Sequence, residues 1–163
     1  MIEKLLFLWL FLHIAAAIVG FGPTFSFGLI MAMGAKDPKN MPFASAIMHA
    51  ISKKVTLPLA LSMAVTGTLL IIASPYGLSD TWLVAALGVY AVAISYSMFV
   101  QGPASGKMQE MIAGMPSGPP SGDAPAGPPA EMAKLGKKLQ MGGMFLGVLT
   151  LVILVLMVWK PGA

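Results

Sequence analysis

Two histidines, His13 and His49, are the side chains of this 163-residue chain whose ordinary pKa lies nearest neutrality. His13 falls inside a long apolar run, where an ionisable group needs a partner or a task. It could ligate haem iron or another metal, pass a proton or bind a substrate, or hydrogen-bond a neighbouring helix. Thr66, Thr68 and Tyr90 occupy a matching depth in other apolar runs. They are good hydrogen-bond partners for an imidazole and poor second ligands for a metal. His49 lies one turn before Lys53, outside the apolar stretch that follows, and reads as a solvated interfacial histidine. Helix rise separates it from His13 by ~20 Å in depth, so one haem cannot take both as ligands.

Fourteen methionines raise Cu(I), which thioethers bind. They are dispersed, with one helical stripe at Met108, Met111 and Met115, and methionine is an ordinary filler of irregular apolar contacts. The six acidic residues all lie at chain ends or in connections. With no carboxylate or lysine in mid-run, the pattern argues against an ion-coupled pump or transporter. There is no phosphate-binding loop, HExxH, nucleophile elbow or paired carboxylate, so no catalytic residue and no metal set is assigned.

The elements that must position these residues follow from composition. Hydrophobic residues make up 57% and charged residues 10%, too few to cover a water-facing surface. Lipid is then the solvent. Four stretches reach the ~20 apolar residues that a bilayer crossing requires: Leu5 to Met33, Val55 to Ser74 with a lead-in from Pro42 to Lys54, Thr81 to Val100, and Met141 to Trp159. They are too long for strands and lack the alternation of a membrane barrel, and lipid offers no partner to a bare backbone. The expected fold is all-α, a single four-helix transmembrane bundle over residues 1–163. The first stretch is far longer than the apolar core of a secretory signal and reads as a retained span.

The ten basic residues are all lysines. Lys36, Lys39, Lys53 and Lys54 accompany the first connection, and Lys107, Lys134, Lys137 and Lys138 the third; Lys4 and Lys160 mark the ends. The positive-inside tendency places both termini outside and the two long connections in the cytoplasm. Trp9, Tyr76, Trp82 and Trp159 then fall near the outer boundary, where amphipathic rings prefer to sit. The lysines flank apolar runs, so lipid headgroups account for the +4 net charge better than nucleic acid does. Residues 102–130 are rich in Pro, Gly, Ser and Ala and read as a flexible connection, with Lys107 to Met115 able to extend the third span and Glu131 to Gln140 to lead into the fourth.

"GFGPTFSFG", residues 20–28, interrupts the first span without ending its apolar run. Ala16, Gly20, Thr24 and Gly28 are spaced by four and would form one small-residue ridge, aligned with His13, for close helix contact. Ala60, Ala64 and Thr68, then Gly88, Val92 and Ser95, then Gly143 and Gly147, would form weaker ridges in the other spans. Pro23 frees the carbonyl of Val19 and should kink the span, and Pro58 marks a second bend.

The pair Leu12-His13, the glycines Gly20 and Gly22, and "TLPLALSMAVTGTLL" from Thr56 to Leu70 resemble a bacterial family of four-helix integral membrane proteins. Thr56, Pro58, Thr66 and Gly67 are the most specific part. The family in turn resembles, more distantly, the copper-resistance D type and the haem-binding membrane protoporphyrinogen oxidases. The resemblance implies a multi-pass protein of the bacterial inner membrane, and its haem-binding members imply an iron ligand at His13.

Three functions remain open at this point. The leading one is a non-catalytic accessory or packing subunit of a larger membrane assembly, with other subunits or copies of itself as partners. The second is a haem b redox or electron-transfer protein using His13. The third is a small channel or carrier, for which Ser62, Ser95 and Ser97 add to the polar groups already named.

Overall fold

The computed structural model of the chain describes residues 2–34, 36–114 and 130–162. Apart from short turns these residues are helical, with no strand among them. Their order is α1 (Ile2–Phe21), a 3-10 segment (Gly22–Ser26), α2 (Phe27–Gly34), a 3-10 turn (Pro38–Asn40), α3 (Met41–Ile51), a π segment (Ser52–Thr56) and α4 (Leu57–Ala73). There follow α5 (Thr81–Tyr96), a second π segment (Ser97–Gln101), α6 (Gly102–Ala113) and α7 (Ala130–Trp159). Joined through their irregular turns, they make four rods long and apolar enough to cross a membrane: Leu5–Gly34, Met41–Ala73, Thr81–Ala113 and Ala130–Trp159.

Length forces each rod out of the lipid. A helix of 33 residues runs about 50 Å, against about 30 Å of hydrocarbon. The first and second rods form one hairpin and the third and fourth another. Both hairpins turn at the same end, the first between α2 and α3 and the second through the long connection after α6, so the chain ends and the turn after α4 share the opposite end; the lead-in from Pro42 to Lys54 is part of the second rod. At that terminal end Lys160 takes the left-handed conformation, φ 42°, which turns the chain back after α7. Its ammonium then lies 4.2 Å from the Tyr76 ring centroid, and Tyr76 meets Trp82 edge-on at 5.3 Å. A cation over two aromatic faces fastens the end of α7 to the turn between the hairpins.

Three rods break regular geometry, and a proline accounts for each break. The second and third share the spacing Ser-x-x-Val-x-x-Pro, at Ser52, Val55 and Pro58 and again at Ser97, Val100 and Pro103. In each the amide just before the proline bonds five residues back, Leu57 to Ser52 and Gly102 to Ser97. The wider turn makes room where the pyrrolidine ring would meet the preceding carbonyls. A Cβ on Gly102 would stand 3.2 Å from the Ser97 carbonyl oxygen, a tight fit, while Leu57 holds the equivalent place in the second rod. In the first rod the chain tightens instead. Drawn into i→i+3 bonding, the Gly20 carbonyl would face Pro23, which has no N–H. The Thr56 hydroxyl donates to it from the second rod at 2.8 Å. Sequence reasoning names Val19 as the freed carbonyl; the side-chain donor goes to Gly20, one residue on, because the segment is 3-10.

That tightening also splits the expected ridge within this chain. A 3-10 residue advances about 20° further round the axis than an α residue, about 100° over the five from Gly22 to Ser26. Ala16 and Gly20 stay buried, and a Cβ on Gly20 would come 3.0 Å from that of Leu59. Gly28, rotated away, is exposed and would meet nothing within 4 Å. The other expected ridges divide in the same way between inward and outward positions. Ala60 is buried but Ala64 is exposed. Gly88 is exposed with open space beside it, while Ala86 is fully buried. In the fourth rod Gly142, not Gly143, is buried, and any side chain there would strike Gln101 and Tyr96; Gly147 again faces open space. The connection is shorter than expected as well. Residues 102–113 are helical, because α6 continues the third rod beyond its π segment. Residues 115–129, with Met115 and most of the Pro-rich stretch, lie outside the described residues.

Candidate functional site

The His13 imidazole sits between the first two rods at half-burial. Its Nδ1 lies 2.9 Å from the Thr66 hydroxyl oxygen. Thr66 is buried, and its own hydroxyl lies 3.1 Å from the Ser62 carbonyl one turn back, an acceptor its single proton can satisfy. In the tautomer with its proton on Nδ1 the ring would donate to that threonine oxygen and leave the Nε2 lone pair free. Gly67 makes the space for the ring: a Cβ there would stand 3.3 Å from His13 Cε1. The Thr66-Gly67 pair therefore does two jobs, one residue hydrogen-bonding the imidazole and the next leaving room for the ring.

The other expected partners of His13 do different work. Thr68 is exposed and folds its hydroxyl onto the Ala64 carbonyl at 2.8 Å. Tyr90 donates to the Ala60 carbonyl at 2.7 Å, tying the third rod to the second across the middle of the bundle. Thr24 turns back on Phe21 within the 3-10 segment.

A second polar group gathers where the rods extend toward the long connections. His49 Nδ1 lies 2.9 Å from the Ser105 hydroxyl, and the Gln109 amide donates to buried Ser45 at 2.5 Å. Both bonds join α3 to α6, and their antiparallel register, 45 with 109 and 49 with 105, fixes how the hairpins meet. The sequence reading of His49 as solvated is corrected here. The signal was present: Ser45, His49 and Ser52 recur at helical spacing on one face of a lead-in otherwise rich in apolar residues. Gln101 donates to the Leu139 carbonyl at 3.0 Å, joining the third and fourth rods at the same level. Met108 is buried and packs toward Gly136, which accounts for one member of the methionine stripe by packing.

Among the described residues no three His, Cys, Asp or Glu side chains gather into a metal site. A haem would find one axial nitrogen, His13 Nε2. His49 is about 25 Å further along the second rod than the Thr66 level.

Four long rods, each with an apolar stretch long enough to cross a membrane and with its charged side chains outside that stretch, define a polytopic helical membrane protein. The family described as "Predicted integral membrane protein (DUF2269)" matches residues 7–161, and the chain belongs to that family. No curated protein and no solved structure matches it.

Proposed function

We propose that this protein is a non-catalytic building block of a larger membrane assembly, resident in a bacterial inner membrane with both termini outside. One observation carries the reading. Gly28, Gly88 and Gly147 have the small size that helix association in lipid uses, yet each faces open space. The chain's own contacts use Gly20, Gly34 and Gly142 instead. Glycines inside apolar helices cost stability unless a backbone approaches them, and a neighbouring subunit or a second copy would supply that approach. The test is extraction from native membranes in mild detergent, followed by native electrophoresis and identification of co-purifying chains. A species well above the 17.0 kDa chain, reduced by Gly88→Leu, is expected; monomers at every detergent level would overturn it. Orientation is tested with single cysteines at Ser79 and Lys39, which the cysteine-free background permits. An impermeant maleimide added to intact cells should label the first only.

A haem b protein is the second reading, favoured by the hydrogen bond of His13 Nδ1 with Thr66, the arrangement that orients an imidazole ligating through Nε2. When bound, haem would supply one-electron chemistry; His13 would hold the iron and Thr66 would fix the ring. A Soret band lost in His13→Ala and shifted in Thr66→Val is the expected result, and a colourless preparation ends this reading.

A further inference from the structure

Between α6 and α7, on the extension beyond the apolar part of the rods, an open surface cleft of about 190 Å³ is lined by Lys107, Glu131, Lys134, Leu135 and Lys138. Lys134 and Lys138 are one turn apart on α7 and share a face. Lys107 faces them from α6 and bonds Glu131 at 2.5 Å. Three lysines against one carboxylate leave a lining charge of +2; Glu110 near Lys107 removes one and Lys137 on α7 restores it.

Depth suggests which anion. Lys138 is one turn from buried Gly142, beside which the second π segment lies and the apolar part of the fourth rod begins. On the third rod, Ala91, Val92, Ser95, Tyr96, Phe99 and Val100 line an open, largely apolar groove that ends seven residues before Lys107. Seven residues are about 10 Å of helix, close to the 5–8 Å depth of a headgroup layer. An anion with apolar chains attached would place both parts at once.

We propose that Lys107, Lys134 and Lys138 form a binding site for the phosphate of an anionic phospholipid, whose acyl chain runs along the groove from Val100 to Ala91. Glu131 is the internal competitor: it occupies Lys107 until a lipid phosphate shares the cleft.

The full chain in detergent, at about 150 mM salt where screening acts within about 8 Å, is titrated with phosphatidylglycerol and phosphatidylcholine and read by native mass spectrometry. Phosphatidylglycerol should bind about tenfold more tightly. Lys134→Gln with Lys138→Gln should remove that preference, whereas Lys36→Gln with Lys39→Gln, in the first connection, should keep it within about twofold. Glu131→Gln should strengthen binding about two- to threefold, and it decides the matter if the double variant does not fold. Equal losses in the two double variants, weaker binding in Glu131→Gln, or displacement of the lipid by millimolar inorganic phosphate would each overturn the proposal, the last by showing a site for free anions.

Discussion

The terminal half of the rods and their extension toward the long connections are held together by different chemistry. In the terminal half, close approach does most of the work, at Ala16, Gly20, Ala60 and Ala86, with one imidazole–hydroxyl pair and one tyrosine across the hairpins. In the extension, side chains bond across helices at Ser45–Gln109, His49–Ser105, Gln101–Leu139 and Lys107–Glu131. Lipid cannot reward burial of apolar surface, so the terminal half depends on fit. The extension meets headgroups and water, where polar side chains are cheap to keep and can set register.

Substitutions that remove fit should therefore cost most. Gly142→Leu displaces the ends of the Gln101 and Tyr96 side chains, and with them the Gln101–Leu139 bond, and should lower stability by about 1–3 kcal/mol in unfolding from mixed micelles. A loss below about half a kilocalorie would show that the fourth rod packs on another face. Next comes the pair between the first two rods. Thr66→Val should cost about 1–2 kcal/mol, and a double-mutant cycle with His13→Ala should return a coupling near 0.6–1.7 kcal/mol. Additive losses would mean that the two side chains do not meet. Tyr90→Phe, which unties the hairpins in mid-bundle, should cost about 1 kcal/mol and loosen hydrogen exchange around Ala60. In the extension, Ser105→Ala should cost about 0.5–1 kcal/mol. Gly88→Leu should leave the isolated chain within about 0.5 kcal/mol of its parent, and that silence sharpens the contrast with Gly142.

The same contrast explains what could be read from the sequence. Length and hydropathy sufficed for four helical rods, since lipid leaves a spanning backbone no other option. Thr66 was visible as a partner for His13 because few polar groups exist at that depth. Which glycines face inward was not visible. Gly28 and Gly20 are spaced for neighbouring positions on one face, and the 3-10 turn between them adds about 100° and carries the two to opposite sides. Apolar residues cover every side of these rods, so no polar face discloses the rotation. For His49 the polar face of Ser45, His49 and Ser52 was legible, but its partner was not: the bond to Ser105 joins positions 56 residues apart, and a single chain carries no local sign of a register between distant helices.

The proline-bearing turns at Gly22–Ser26, Ser52–Thr56 and Ser97–Gln101 share one level, because Thr56 meets Gly20 and the α3–α6 register sets residue 56 opposite residue 98. Irregular turns bend more readily than continuous α-helix. Three of them in a ring make a collar at which the upper stack can lean while the lower stack keeps its packing. A bilayer a few ångströms thicker or thinner would then be met by a change of tilt at the collar, at a fraction of a kcal/mol per ångström, with the imidazole–threonine pair below it undisturbed.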